Sequence, residues 1–105
     1  MADDIARLAS LFAALGHNVR LTLVRELLRA HPSGLLVGDL QGRVGIPAST
    51  LSHHLDTLRK AGIVETTREG TSLRQRVDPA ALLEVHGFLD RECCADERVV
   101  TIGAR

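Results

Sequence analysis

Two groups of residues in this 105-residue chain have types and spacings that could do chemistry. The first is the adjacent thiol pair Cys93-Cys94, the chain's only cysteines. Thiolates are soft ligands and select soft acceptors, of which trivalent arsenic is one. Neighbouring side chains on a helix point about 100° apart, so both sulphurs can meet one atom only if a helix ends or frays there. Cys93 alone could instead be a small buried hydrophobe, since it extends a stripe through Leu82, His86 and Leu89 by about one turn. The pair could also be a thiol redox switch. The second group is Ser49, Thr50, Ser52 and His53. These are short donors and acceptors of the kind that meet base edges when a helix enters the DNA major groove by its N-terminal end.

These groups need elements to hold them. Leu51, Leu55 and Leu58 fall at i, i+4 and i+7, the apolar stripe of a helix over 47–61. Ser49, Ser52, His53, Asp56 and Lys60 take the other side, which places cations towards the helix end, where phosphates would lie. Pro47 suits its first turn, and Gly62 suits the position just past its end. His54 flanks the apolar stripe and reads as packing. A short helix over 37–44 precedes it, weakened by Gly38 and Gly42 and so dependent on its neighbours. Two short helices joined by a turn at Gly45 form a helix-turn-helix. Earlier helices span 3–15, with Ile5, Leu8, Leu11, Phe12 and Leu15, and 18–30, with Leu21, Val24, Leu27 and Leu28. Asp3 and Asp4 suit the first N-terminus, and His17 and His31 read as loop or cap residues.

Residues 63–77 are rich in Thr and alternate about a Glu-Gly turn, the pattern of a β-hairpin. Arg68, Arg74 and Arg76 lie on its arms, where a wing beside the helix would reach the DNA backbone. A last helix covers 80–92, with Leu82, Val85, His86 and Leu89 on one stripe. The expected organisation is one domain over 1–94 and a mobile tail over 95–105.

Composition narrows the classes. Hydrophobic residues make up 45%, but aromatics only 2%, so the core is aliphatic and helical, and base stacking on aromatics is excluded. Formal net charge is zero, so any DNA contact must come from local patches. No apolar run reaches the ~18 residues of a membrane span, and the acidic start is unlike a signal peptide. A cytoplasmic protein with no membrane partner is expected. A thiol enzyme is disfavoured because there is no Cys-x-x-Cys motif and no Gly-rich phosphate loop after a strand.

The order of elements resembles the winged-helix repressors of the ArsR (SmtB/ArsR) family over about residues 8–92. The resemblance is carried by Ala14-Leu15-Gly16-His17-Asn18-Val19-Arg20-Leu21, with Asn18 where the family usually has Pro. It is carried equally by Ser49-Thr50-Leu51-Ser52-His53-His54-Leu55, followed by Leu58-Arg59-Lys60-Ala61-Gly62-Ile63-Val64. It implies a mostly α fold with a small β-hairpin, a homodimer through the first and last helices, and double-stranded operator DNA as partner. Of the family's inducer sites, the one on the third helix is absent, because its cysteine positions hold Leu36 and Gly38. The zinc-type site is incomplete: Glu84, His86 and Glu97 match, but Val100 cannot coordinate. Glu92-Cys93-Cys94 is similar to the subgroup with a vicinal pair at the end of the last helix. The resemblance therefore implies a repressor, not an enzyme, released from DNA by arsenite or an organoarsenical such as methylarsenite. Thiol oxidation of the same pair is the alternative.

Overall fold

Asp4 starts the first helix by accepting the Arg7 amide at 3.0 Å, a side-chain cap on α1 (Ile5–Leu15). A computed structural model describes residues 4–94, so Asp3 and the tail expected over 95–105 lie outside the described residues. His17 caps α2 (Asn18–Arg29), its Nδ1 accepting from the Val19 amide at 3.1 Å, which replaces the start a proline would give. Then follow β1 (Leu35–Leu36), α3 (Val37–Val44), α4 (Ala48–Lys60), β2 (Val64–Glu69), β3 (Ser72–Val77) and α5 (Pro79–Cys94). Asp78 opens α5, accepting from Ala80 at 3.0 Å, and Pro79 takes the first helical position.

The architecture is the expected mostly α winged helix-turn-helix, with five helices and a small antiparallel sheet among the described residues. The sheet has a third strand that the hairpin pattern did not foretell. Its order is β1-β3-β2, with Leu35 opposite Gln75 and Leu36 opposite Arg74. Just before it, Gly34 has φ 74°, and a Cβ there would collide with the Gln75 carbonyl. At the hairpin turn Gly70 takes φ 63°, the positive value that a two-residue loop with Gly first requires.

Leu11, Leu23, Leu27, Leu40, Leu58 and Ile63 are fully enclosed and form the centre of an aliphatic core. The apolar stripes of three helices turn out to be two faces each. In α1, Leu8 and Leu11 point inward while Ile5 and Phe12 face solvent. In α2, Leu23, Val24 and Leu27 are buried and Leu21 and Leu28 are exposed. In α5, Ala81 is buried and Leu82, Val85 and Phe88 pack on the core, but Leu83 and Leu89 are exposed. His86 is exposed as well, so the stripe of Leu82, Val85, His86 and Leu89 is divided: Leu82 and Val85 pack on the core beside Phe88, and His86 and Leu89 face solvent.

A candidate nucleic-acid interface

Pro47 sits at the N-cap of α4, one place before the first turn, with φ −59° and ψ 149°. Gln41 steadies the connection from α3, its Nε2 donating to the Ile46 carbonyl at 3.1 Å. Leu51, Leu55 and Leu58 are buried, so Ser49, Thr50, Ser52 and His53 are all turned to solvent. Among the described residues, the side chains of Ser49, Thr50 and Ser52 have no hydrogen-bond partner in the chain. Behind this face His54 is buried, as its position beside the stripe suggested. Its ring lies 4.6 Å from that of His17 and 5.4 Å from that of His53. Arg20 meets its Nδ1 at 3.2 Å and also donates to the Ala14 carbonyl at 2.6 Å. As Arg20 has no acceptor to offer, His54 Nδ1 accepts and the ring is neutral. Burial first, then His17, Arg20 and His53, lower the His54 pKa.

At the far end of α4 the cations are paired within the helix. Asp56 takes Arg59 at 2.9 Å and Lys60 at 3.0 Å. The hydrogen bond from Lys60, then its charge, and similar contributions from Arg59 hold the Asp56 carboxyl below its ordinary range. Arg59 also donates to Thr66 Oγ1 at 3.1 Å, and Thr66 in turn donates to Oε1 of the buried Gln75 at 2.8 Å. This chain couples α4 to the sheet. Gln75 gave no sign in the sequence, because alternation marks it only as one strand residue among several.

The hairpin does not hold its arginines as one group. Residues opposite each other in a ladder share a face. Arg68 opposes Leu73 and so lies on the side of Thr66 and Gln75, toward α4. It is exposed and without a partner among the described residues. Arg74 and Arg76 lie on the reverse face. Arg74 is pinned by Glu69 at 2.7 Å and by the Ser33 carbonyl at 3.4 Å, and Arg76 donates to Thr67 Oγ1 at 3.0 Å.

A helix-turn-helix domain family matches residues 15–67. The chain is 38% identical over 90 residues to the biofilm growth-associated repressor of Xylella fastidiosa, covering 86% of this chain and 76% of that one. The solved structure of the Xylella fastidiosa repressor BigR superposes with a TM-score of 0.65 at 36% identity, over 88% of this chain and 91% of the other. The chain belongs to the ArsR family of helix-turn-helix transcriptional regulators. Its family function is DNA-bound repression of transcription. A Halobacterium salinarum protein assigned as an arsenical resistance operon repressor is 33% identical over 70 residues, 67% of this chain and 58% of that one. The same fold occurs in a Mycobacterium bovis winged helix-turn-helix domain described as homodimeric, with TM-score 0.68, 22% identity and 88% of each chain covered.

For an ArsR-family chain the inducer position is the open question. Leu36 and Gly38 offer no ligand at the start of α3. Glu84 is held by Arg7 across a 3.1 Å ion pair, which lowers the Glu84 pKa, and Glu97 lies outside the described residues. Among the described residues no group of three or more His, Cys, Asp or Glu side chains could hold a metal ion. Cys93 is exposed in the last turn of α5. Cys94 closes the same helix, and its side chain lies outside what is described. No helix among the described residues is long and apolar enough to cross a membrane.

Proposed function

We propose that the chain is a homodimeric repressor that leaves its operator when trivalent arsenic joins Cys93 and Cys94. The carrying observation is the thiol pair itself: two adjacent cysteines close α5, with Cys93 open to solvent. The likeness to a protein assigned to an arsenical resistance operon supports this reading. So does the geometry of the alternative. Consecutive Cα atoms stand about 3.8 Å apart, short of the 4.4–6.8 Å usual for a disulfide, so direct oxidation to a vicinal disulfide is strained. A metalloid between two sulphurs spans a wider gap than an S–S bond of about 2 Å. Two thiols fill two positions on the metalloid, which matches methylarsenite. Arsenite would take a third ligand from solvent or an external thiol.

In this reading Ile5, Phe12, Leu83 and Leu89 cover each other across two copies, since four large apolar side chains on α1 and α5 are otherwise left in water. Ser49, Thr50, Ser52 and His53 meet base edges. Arg68 reaches the backbone, with Arg76 and Arg74 behind it. Inducer and DNA weaken each other equally. The protein works in the cytoplasm, where the DNA is.

The test is DNA release from the protein–operator complex, titrated with arsenite, methylarsenite, peroxide and Zn²⁺ in parallel. Wild type should respond to both arsenicals, methylarsenite at least as well as arsenite. Cys93→Ser and Cys94→Ser should bind DNA and ignore both, because a serine oxygen is hard and poorly ionised. Release of either mutant at the wild-type arsenical concentration, or release by Zn²⁺ alone, would overturn the site. Release by peroxide without arsenic would establish the redox reading in its place.

A further inference from the structure

Arg7 makes three hydrogen bonds away from its own helix. Its Nε donates to Glu84 Oε1 at 3.2 Å and its Nη2 to Oε2 at 3.1 Å. Its Nη1 donates to the Ala61 carbonyl at 3.1 Å. Glu84 belongs to α5, and Ala61 is the C-cap of α4. Gly62 follows with φ 82°, and a Cβ there would stand 3.4 Å from Nη2 and 3.5 Å from Nη1, so the terminal edge of the guanidinium is set against this turn. One planar fork therefore joins α1, α5 and the C-terminal end of α4, across 54 and 77 positions of sequence. The pair's side chains are 38% and 44% exposed. Ion pairs this open add little to stability. What a fork fixed at three points does supply is a direction, which a lysine point charge would not.

We propose that Arg7 is a positioning residue for operator reading: it sets the angle of α4 against the layer of α1 and α5. This rests on the reading of the chain as a homodimer through that layer. In such a dimer the separation of the two α4 helices follows from how rigidly each α4 is joined to the interface. A two-fold regulator reads half-sites at one spacing only as far as that joint is stiff. Among the described residues, Arg7 is the side chain whose hydrogen bonds link α1 and α5 to the end of α4.

The experiment uses a duplex selected by the wild-type protein from random-sequence DNA, and versions with one or two base pairs inserted between the half-sites. Each inserted pair turns one half-site by about 34° about the duplex. Wild type is expected to lose about tenfold or more in affinity per inserted pair. Arg7→Gln is expected to lose less than about threefold, to bind random duplex as wild type does, and to melt within a few degrees of it. Arg7→Lys keeps the charge without the fork and should behave like Arg7→Gln. The exchanged pair Arg7→Glu with Glu84→Arg remakes the ion pair but cannot donate to Ala61, so it should keep the loose spacing. Full discrimination retained by Arg7→Gln or Arg7→Lys overturns the proposal while leaving the dimer reading intact. Full discrimination in the exchanged pair removes the Ala61 carbonyl from it. A wild type indifferent to spacing overturns the two-fold reading, and the clamp with it.

Discussion

Along α4 the first two turns leave Ser49, Thr50 and Ser52 with no side-chain hydrogen bond among the described residues, whereas the last two are tied at every charged group. Asp56 holds Arg59 and Lys60, Arg59 holds Thr66, and the Ala61 carbonyl takes Arg7. The same helix is thus free at one end and fixed at the other. A helix that meets a varied partner at its N-terminal end needs bare donors and acceptors there. It also needs an anchor elsewhere, so that those groups arrive in one orientation. Of the two cations there, Arg59 ties the helix to the sheet through Thr66, while Lys60 pairs only within α4.

The largest effect should come from the buried face of α4. Leu55→Ala, at a position 3% exposed, is expected to cost about 2–5 kcal/mol of stability, read as a lower urea midpoint. Ser52→Ala, on the opposite face, should leave that midpoint unchanged. Equal stability in the two variants would break the division of α4 into a packed and a bare face.

A smaller contrast lies in the wing. Arg68→Ala should weaken operator and random DNA together and reduce the salt slope by about 0.9, as expected for one phosphate contact. Arg74→Ala should change the slope less, because Glu69 already holds that guanidinium on the reverse face. A larger slope change for Arg74 would reverse the assignment of the two faces.

Between the halves of α4 stands His54, and its titration separates packing from reading. Its folded-state pKa is lowered by burial and by His17, Arg20 and His53, which face it from α2 and α4. Folding therefore favours the neutral ring. Below the ordinary histidine value of about 6.5 the unfolded chain binds a proton that the folded chain refuses. Stability is fully present above that pH and falls as the pH drops through it toward the folded value. Urea melts from pH 8 to 5 should show this slope, and His54→Gln should flatten it. A slope unchanged in His54→Gln would move the effect to another group.

The smallest change should follow from Asp56→Asn. Releasing Lys60 and Arg59 leaves two more free cations at the held end, and random-duplex affinity should rise by less than about threefold, with a steeper salt slope. A loss of random-duplex affinity in this variant would mean that the anchor carries the DNA contact.

Much of this frame was legible in the sequence. Gly62 stands just past the end of α4 at positive φ, His17 caps α2, and His54 is packed, each as its type and neighbours implied. What escaped has physical reasons. A strand of two residues, Leu35–Leu36, has no period to detect and looks like the apolar start of the helix that follows. Ile5, Phe12 and Leu89 share helical spacing with core residues, and periodicity cannot tell a face that meets its own core from one left for a partner. The contacts of Arg7 and Gln75 are made across the fold and leave no local trace. Nor does spacing show that Arg68 and Arg74 lie on opposite faces of the hairpin, since that depends on the register of β2 against β3.

The central claim is that the free half of α4 reads the operator. Its most direct measurement is the ratio of operator to random-duplex affinity, at fixed salt, for wild type, Ser49→Ala and His53→Ala. Each alanine is expected to lower that ratio by about 1–3 kcal/mol while random-duplex binding and melting stay as in wild type. A ratio unchanged in both variants would contradict the claim.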